Sequence, residues 1–437
     1  MDTFLRKIRK FIPDGLFTFG QPIYHYLLAF AGAVVYRFPS RKIKVTGITG
    51  TKGKTTTVEL VNAILEEAGF KTALAGTLRF KIGKEEKRNL YKMTMPGRFF
   101  VQKFLRDAVN AKCDWVILEM TSEGAKQFRH KFIDLDVLIF LNIAPEHIES
   151  HGSFEKYSDA KFKLALALQK SIKRPRILVA NENDELGKKF LTINVEKKLP
   201  FSAPFAYSRE LESDKSLTGG SGTFVWHGET ICPKLVGDFN IANMLASATF
   251  ASAIGIAPKV IKTALEKIEE IKGRVQFIEA GQQFKVVVDY AHTPDSLKAL
   301  YEAFPNYKKI AVLGNTGGGR DVWKRPEMGR IADEYCDEII LTNEDPYDEN
   351  PYKIIADMEK GFLKHVPHMI IDRRRAIATA LAKADALCKN QMSTESIVVL
   401  ITGKGTDPYI MGPNGEKESW DDATVVREEL SKLKAIS

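Results

Sequence analysis

From Lys42 onward, short continuous apolar runs alternate with segments whose apolar residues recur every three to four positions. The runs Ile43–Ile48, Trp115–Leu118, Val137–Leu141 and Ile177–Ala180 predict strands, and Thr55–Ala68 and Tyr157–Gln169 predict helices. Strand and helix in alternation predict an α/β fold with a mostly parallel sheet covered on both faces. The stretch from Leu199 to Val236, with Gly219-Gly220-Ser221-Gly222 and Thr223–His227, predicts irregular β hairpins, and a helix is expected over Ile241–Ile254. A second α/β series begins near Gly273. Its predicted strands are Lys285–Asp289, Lys309–Leu313, Glu338–Leu341 and Ile397–Ile401, and its predicted helices Asp295–Ala303, Pro326–Glu334, Tyr352–Gly361 and Arg374–Ala386. With Ile271-Lys272-Gly273-Arg274 as linker, the expected division is 1–41, 42–272 and 273–437. There is no internal repeat and no low-complexity tract.

The first 41 residues follow another pattern. Ile23–Tyr36 is an apolar run interrupted by His25 and preceded by Pro22. As a helix it would reach about 21 Å, short of a hydrocarbon core of about 30 Å. Arg37-Phe38-Pro39-Ser40-Arg41 is a poor cleavage site for a secretory signal. Two readings stay open: a helix packed on the body of the protein, or one lying on a membrane surface beside Arg6, Lys7, Arg9 and Lys10.

Charge sharpens this picture. The chain has 437 residues and a net charge of +9, yet residues 1–42 carry seven basic residues against Asp2 and Asp14, so five of the nine charges sit there. The remainder is near balance, which argues against a nucleic-acid binder. A composition of 44% hydrophobic and 27% charged residues excludes a disordered chain, and the length suits two or three domains. Cys113, Cys232, Cys336 and Cys388 form no CxxC pair and no dense framework, which predicts reduced thiols and a cytoplasmic location.

The strongest local signal is Gly47-Ile48-Thr49-Gly50-Thr51-Lys52-Gly53-Lys54-Thr55-Thr56-Thr57, after a strand and before a helix. Such a loop lets backbone N–H groups surround a phosphate; Lys54 can bridge phosphate oxygens and the Thr55 hydroxyl can bind Mg²⁺. In the usual G-x-x-x-x-G-K-[ST] spacing the first glycine would fall on Ile48, whereas Gly47 lies one residue early, so this is a variant P-loop. Glu119 ends a buried strand, where open α/β sheets place ligands. With Thr55 it makes a candidate Mg²⁺ site of hard oxygen donors; a structural ion pair is the alternative.

Thr49-Gly50-Thr51-x-Gly53-Lys54-Thr55-Thr56-Thr57 resembles the loop of the Mur ligases, ATP-dependent amide-forming enzymes that build cell-wall peptides. Six further blocks follow in order. They are Leu118–Gly124 with Gln127-x-Arg129; Asn142–Gly152 with Glu146-His147; Gly237-Asp238-Phe239-Asn240-x-x-Asn243; Asp289-Tyr290-Ala291-His292-Thr293-Pro294; Gly319-Arg320-Asp321 through Lys324-Arg325-Pro326; and Gly403-Lys404-Gly405. Seven blocks in register are specific, and the pattern is most similar to the branch that adds the third residue of the UDP-muramoyl stem peptide.

The resemblance implies a P-loop central domain followed by a Rossmann-like C-terminal domain. It implies that His147 helps hold a second Mg²⁺ and that Lys161 is carbamylated, which would turn a repelling cation into an anionic oxygen donor. Asn240 and Asn243 would read the adenine edge, Asp289 the ribose, and Tyr290 and His292 would lie beside the base. Arg274 and Arg320 would contact phosphates, completing the site on domain closure. Thr94, Ser122, Gln127 and Arg129 match muramoyl-peptide contacts. The implied activity is an ADP-forming ligation of an amino acid to a UDP-muramoyl-peptide carboxylate by a cytoplasmic monomer, with peripheral membrane contact through residues 1–40 open.

Four departures bear on the substrate. Only about 42 residues precede the P-loop strand, whereas the branch carries an N-terminal UDP-binding domain of roughly 100 residues. The family's Ser-Ser-His is Thr121-Ser122-Glu123. The Asp-Asn-Pro-Arg of diaminopimelate-adding members is Glu344-Asp345-Pro346-Tyr347, and Tyr347 cannot form a bidentate pair with a distal carboxylate. The Gly-Lys-Gly-His-Glu block reads Gly403-Lys404-Gly405-Thr406-Asp407. Glu344, Asp345 and Asp407 thus predict an amino acid with a free distal amine, such as lysine or ornithine. The alternatives are a related ligase acting on a folylpolyglutamate-type or lipid-linked carboxylate, or a non-catalytic nucleotide-binding subunit.

Overall fold

The computed structural model describes residues 14–146, 148–202, 222–389 and 396–436. These form two compact units, one of residues 14–145, 151–202 and 243–261, the other of residues 146, 148–150, 222–242, 262–389 and 396–436.

The first unit begins with helix α1 (Asp14–Val35) and is built on an eight-stranded sheet. Its strands are β1 (Lys44–Thr49), β2 (Thr72–Ala75), β3 (Arg79–Ile82), β4 (Glu85–Arg88), β5 (Trp115–Glu119), β6 (Val137–Phe140), β7 (Ile177–Asn181) and β8 (Lys197–Phe201), in the order β4-β3-β2-β5-β1-β6-β7-β8. The six strands from β2 to β8 in that order pair parallel, and β3 and β4 extend one edge antiparallel. Ile48 pairs with Glu119, and Thr49 with Phe140. That register brings the C-terminal ends of β1, β5 and β6 to one edge, where a doubly wound sheet holds its ligands. Gly47 in β1 is required by packing: a Cβ there would lie 2.5 Å from Met120 Sδ.

Helix α2 (Lys54–Glu67) follows β1, α3 (Arg98–Asn110) precedes β5, α4 (Ser122–Lys126) follows β5, and α5 (Phe154–Lys170) precedes β7. The β3–β4 hairpin was not legible as apolar runs because its residues Arg79, Lys81 and Glu85–Arg88 are mostly charged. Helix α3 buries Val101, Phe104, Leu105 and Ala108, a helical spacing masked by its basic residues.

Helix α1 is longer than the apolar run suggested, with Pro22 inside it. Its small residues Ala29, Gly32 and Ala33 lie on the body of the unit, and a Cβ on Gly32 would meet Phe99 Cα at 3.6 Å. Arg106 of α3 donates to Tyr36 O through Nε (3.0 Å) and Nη2 (2.6 Å), fixing the helix end. Ile23, Leu27, Phe30 and Val34, one stripe at helical spacing, are exposed.

The second unit has the hairpin β9 (Phe224–Trp226) and β10 (Glu229–Ile231); residues 203–221 of the expected hairpin region lie outside the described residues. Its six-stranded sheet comprises β11 (Gln276–Phe277), β12 (Lys285–Val288), β13 (Tyr307–Leu313), β14 (Glu338–Leu341), β15 (His368–Met369) and β16 (Ser396–Ile401), ordered β11-β12-β16-β13-β14-β15. Only β11 pairs antiparallel. Val286 and Val288 face a core shared with helices Arg373–Lys389 and Asp422–Ile436, and Val287 faces Leu297, Leu300, Met328 and Met358 on the other side. This two-faced burial accounts for the continuous apolar strands.

Candidate active site

The loop before α2 is shaped by Gly53, whose φ of 79° is left-handed and whose added Cβ would lie 2.2 Å from Asn243 Oδ1. Asn243 also accepts from Thr57 Oγ1 at 3.4 Å. Asn142, just past β6, accepts from Thr51 N (3.1 Å) and Lys52 N (2.8 Å) and donates back to Lys52 O (3.2 Å). The bond from Thr57 N to Gly53 O opens α2, so the amides of Lys54, Thr55 and Thr56 form the positive end of the helix. Lys54 Nζ folds back onto Gly50 O (3.0 Å) and Thr51 O (2.9 Å), within reach of any anion held there.

Glu119 is 2% exposed at the end of β5. Its Oε1 accepts from Thr55 Oγ1 at 3.1 Å, and Thr77 donates to both oxygens, from N at 2.7 Å and from Oγ1 at 2.9 Å. Thr94 Oγ1 lies 2.8 Å from Thr77 Oγ1, so an unbroken hydroxyl chain joins Thr94 to Glu119. A carboxylate and a hydroxyl oxygen this close fit the hard-donor requirement of Mg²⁺.

The second expected metal position is different. Lys161 is buried, its Nζ donates to Gly50 O at 2.7 Å, and it lies 4.7 Å over the Tyr157 ring. An ammonium is a donor, so in this form it does not fit a metal; a carbamate oxygen would. His147 lies outside the described residues. Tyr157 OH lies 2.8 Å from Thr51 Oγ1, tying α5 to the loop. Asn142 belongs to the Asn142–Gly152 segment, whereas the contacts of Thr77 and Tyr157 have no local sequence motif. The signal for Tyr157 was its one-turn spacing from Lys161.

The acceptor candidates gather at α4. Ser122 Oγ lies 3.2 Å from His151 Nε2, and burial lowers the His151 pKa. Gln127 Nε2 donates to Glu123 Oε1 at 2.6 Å, and Gln127 Oε1 accepts from Arg129 Nη2 at 2.7 Å. Arg129 Nη1 also donates to Met95 O.

In the second unit, Asp289 accepts from Val275 N (2.7 Å) and Ala291 N (2.6 Å), and burial still pushes its pKa up. Burial likewise raises the Tyr290 pKa, and Arg274 stacks 4.5 Å above the Tyr290 ring. His292 bonds Tyr290 O through Nδ1 (2.7 Å) and Glu146 Oε1 through Nε2 (3.1 Å). Asn240 Nδ2 donates to Val236 O at 2.8 Å, a helix-start contact within its own unit. Arg320 lies 5.0 Å over the Tyr347 ring.

The carboxylate group expected to receive an amine is partly committed internally. Lys404 Nζ donates to Asp345 Oδ1 (2.8 Å), Asp407 Oδ2 (2.9 Å) and Tyr409 O (2.6 Å). Asp345 Oδ1 also accepts from Met411 N at 2.8 Å. Glu344 Oε1 accepts from Thr316 Oγ1 at 2.8 Å, while its buried Oε2 has no hydrogen-bond partner. Gly403, at φ 102°, lets that oxygen pack close against the backbone, since a Cβ there would lie 2.6 Å from it. Lys404 thus offsets part of the charge of Asp345 and Asp407, while Glu344 keeps one oxygen without a hydrogen-bond partner.

Residues 48–251 match the Mur ligase middle domain, and residues 273–405 the Mur ligase glutamate ligase domain. A UDP-N-acetylmuramoyl-L-alanyl-D-glutamate–2,6-diaminopimelate ligase of Syntrophomonas wolfei is 32% identical, covering 92% of this chain and 81% of its own length. A UDP-N-acetylmuramyl-tripeptide synthetase of Roseiflexus is 34% identical, covering 93% and 82%. Among solved structures, a diaminopimelate ligase of the first name superposes with a TM-score of 0.57 at 26% identity, covering 90% of this chain and 79% of its own. A folylpolyglutamate synthase of Mycobacterium tuberculosis superposes at 0.68 with 15% identity, covering 86% and 92%, a likeness of fold alone. With both domains matched in order and relatives aligned over most of their length, the chain belongs to the Mur ligase family.

Proposed function

We propose that this chain is an ADP-forming ligase that joins the amine of an amino acid to the carboxylate of a UDP-muramoyl peptide, in peptidoglycan precursor synthesis. The observation that carries the reading is the Thr55–Glu119 oxygen pair beside Lys54 at the positive end of α2. In the proposed sequence, the acceptor carboxylate attacks the γ-phosphorus of ATP and ADP leaves. The amine then attacks the acyl carbon, phosphate leaves and the amine's proton passes to solvent. Mg²⁺, when bound, neutralises charge on the moving phosphoryl group. Lys54 and the α2 amides hold the phosphates in line; Asn142 and Tyr157 keep the loop in shape. Carbamylation of Lys161 would supply the missing oxygen donor of a second Mg²⁺ with His147. Asp289, Tyr290, His292, Arg274, Asn240 and Asn243 are assigned to the nucleotide, and Arg320 to phosphate. ADP release that requires both acceptor and amino acid, with mass spectrometry of the product, tests the reading; release with neither dependence would sink it.

For the amino acid we propose a cationic distal group opposite Glu344 Oε2, flanked by Asp345, Tyr347, Gly403 and Asp407. A panel containing lysine, ornithine, diaminopimelate and alanine decides it, and equal turnover of alanine would overturn the assignment. We further propose that the exposed Ile23–Leu27–Phe30–Val34 stripe of α1 rests on an anionic membrane surface. No acidic residue occurs between Asp14 and Glu59, while basic residues flank the helix. Flotation with phosphatidylglycerol vesicles should capture the wild-type chain and not Leu27→Glu; equal capture of both would refute the contact. No helix among the described residues is long and apolar enough to cross a membrane.

A further inference from the structure

In the first unit, Arg98 Nη2, Arg129 Nε and both ring nitrogens of His25 are buried nitrogens that lack a hydrogen-bond partner among the described residues. Buried donors are ordinarily satisfied, and each one left over is destabilising. Gln127 holds the two guanidinium groups in one place. Arg98 Nε donates to its backbone oxygen at 2.9 Å and Arg129 Nη2 to its side-chain oxygen at 2.7 Å. His25 enters from α1. The next residue, Tyr26, sets its ring edge against Phe128, between Gln127 and Arg129 in sequence, with centroids 6.4 Å apart. On the α3 side, a Cβ on Gly32 would lie 3.7 Å from Arg98 O.

We propose that His25, Arg98 and Arg129 together form an oxyanion-binding site that receives a phosphate or carboxylate of the acceptor. The proposal rests on the muramoyl-peptide reading for the identity of the acceptor, and on geometry alone for the site. The family resemblance pointed to Gln127 and Arg129; it gave no role to Arg98 or to His25, whose helix lies ahead of the matched domains. The electrostatics agree. Burial and the charge of Arg129 lower the Arg98 pKa to about 10, burial lowers that of Arg129, and burial with both arginines lowers that of His25 to about 4. Glu123 is the acid that His25 and Arg129 feel, and its Oε1 already accepts from Gln127. An oxyanion would relieve all three shifts and satisfy the open donors, with the guanidinium groups offering charge-assisted bonds. On this account α1 forms a wall of the acceptor site.

The test uses the full chain and two probes that separate the anion sources: pyrophosphate for the phosphate, and N-acetylmuramoyl dipeptide without nucleotide for the carboxylate. Binding is followed by calorimetry and by the NMR resonance of His25, assigned with His25→Phe. At least one probe should move that resonance, and its affinity should fall about tenfold or more in Arg98→Gln and severalfold in His25→Phe. In the ligase assay both variants should raise the KM for the UDP-muramoyl dipeptide by similar factors, with the KM for ATP within twofold of wild type. The site is refuted if neither probe moves the His25 resonance, or if the folded His25→Phe chain binds both probes and the acceptor as wild type does. A wild-type chain that binds a probe at His25 yet releases no ADP with the dipeptide and any amino acid supports the site and sinks the ligase reading instead.

Discussion

Thr77 donates to both carboxylate oxygens of Glu119, from its amide at 2.7 Å and from its hydroxyl at 2.9 Å, and so fixes the rotamer of that acid toward Thr55. Thr77→Val keeps the amide bond and the shape of the side chain but removes the hydroxyl. It also cuts the link to Thr94. Hydrogen bonds to a charged group contribute about 1.5–3 kcal/mol. The expected outcome is a rise of about tenfold in the Mg²⁺ concentration for half-maximal ADP release, with a nearly unchanged melting temperature. An unchanged Mg²⁺ requirement would show that Thr77 is only packing.

Lys54 is held by two loop carbonyls and by nothing in the core, so its loss should cost little stability. Lys54→Ala is expected to lower kcat by about a hundredfold or more while its circular dichroism stays that of wild type. Normal turnover in this variant would overturn the phosphate-site assignment.

These two residues differ in how readable they were. Lys54 lay in a loop whose chemistry is written in consecutive residues, and the α/β alternation around it follows from two-faced burial of β1, β5 and β6. Thr77 sits 42 positions from Glu119, in a turn between β2 and the charged β3–β4 hairpin, so neither apolar pattern nor local motif announces it. Arg98 and His25 were hidden for a related reason. Their roles come from the tertiary crossing of α1 and α3, which places separate parts of the chain around Gln127. Asp345 and Asp407 were visible as acids, but the sequence did not show that Lys404 would consume much of their charge.

Lys404 is wholly buried with Asp345 and Asp407 as partners. Removing the cation leaves two carboxylates close together in a dry site. Lys404→Met should therefore destabilise the protein by about 3–5 kcal/mol, read as a lowered denaturant midpoint. Adding Asp345→Asn and Asp407→Asn should recover part of that loss. A Lys404→Met chain as stable as wild type would mean the site stays hydrated.

His130 offers a pH test independent of activity. It is 2% exposed, its Nδ1 has no hydrogen-bond partner, and burial with the charges of Lys131 and Lys163 lowers its pKa to about 3 from an ordinary 6.5. Because the folded value is the lower one, the unfolded chain takes up the proton first as pH falls. This group therefore leaves stability untouched above about pH 6.5 and withdraws up to about 1.4 kcal/mol per pH unit between 6.5 and 3. Replacing it by Phe, which fills similar space without titrating, should flatten the fall in unfolding free energy between pH 6.5 and 4. Denaturant titrations of the two chains at pH 7, 5.5 and 4.5 measure this. Parallel slopes would show that His130 protonates in place at its ordinary value.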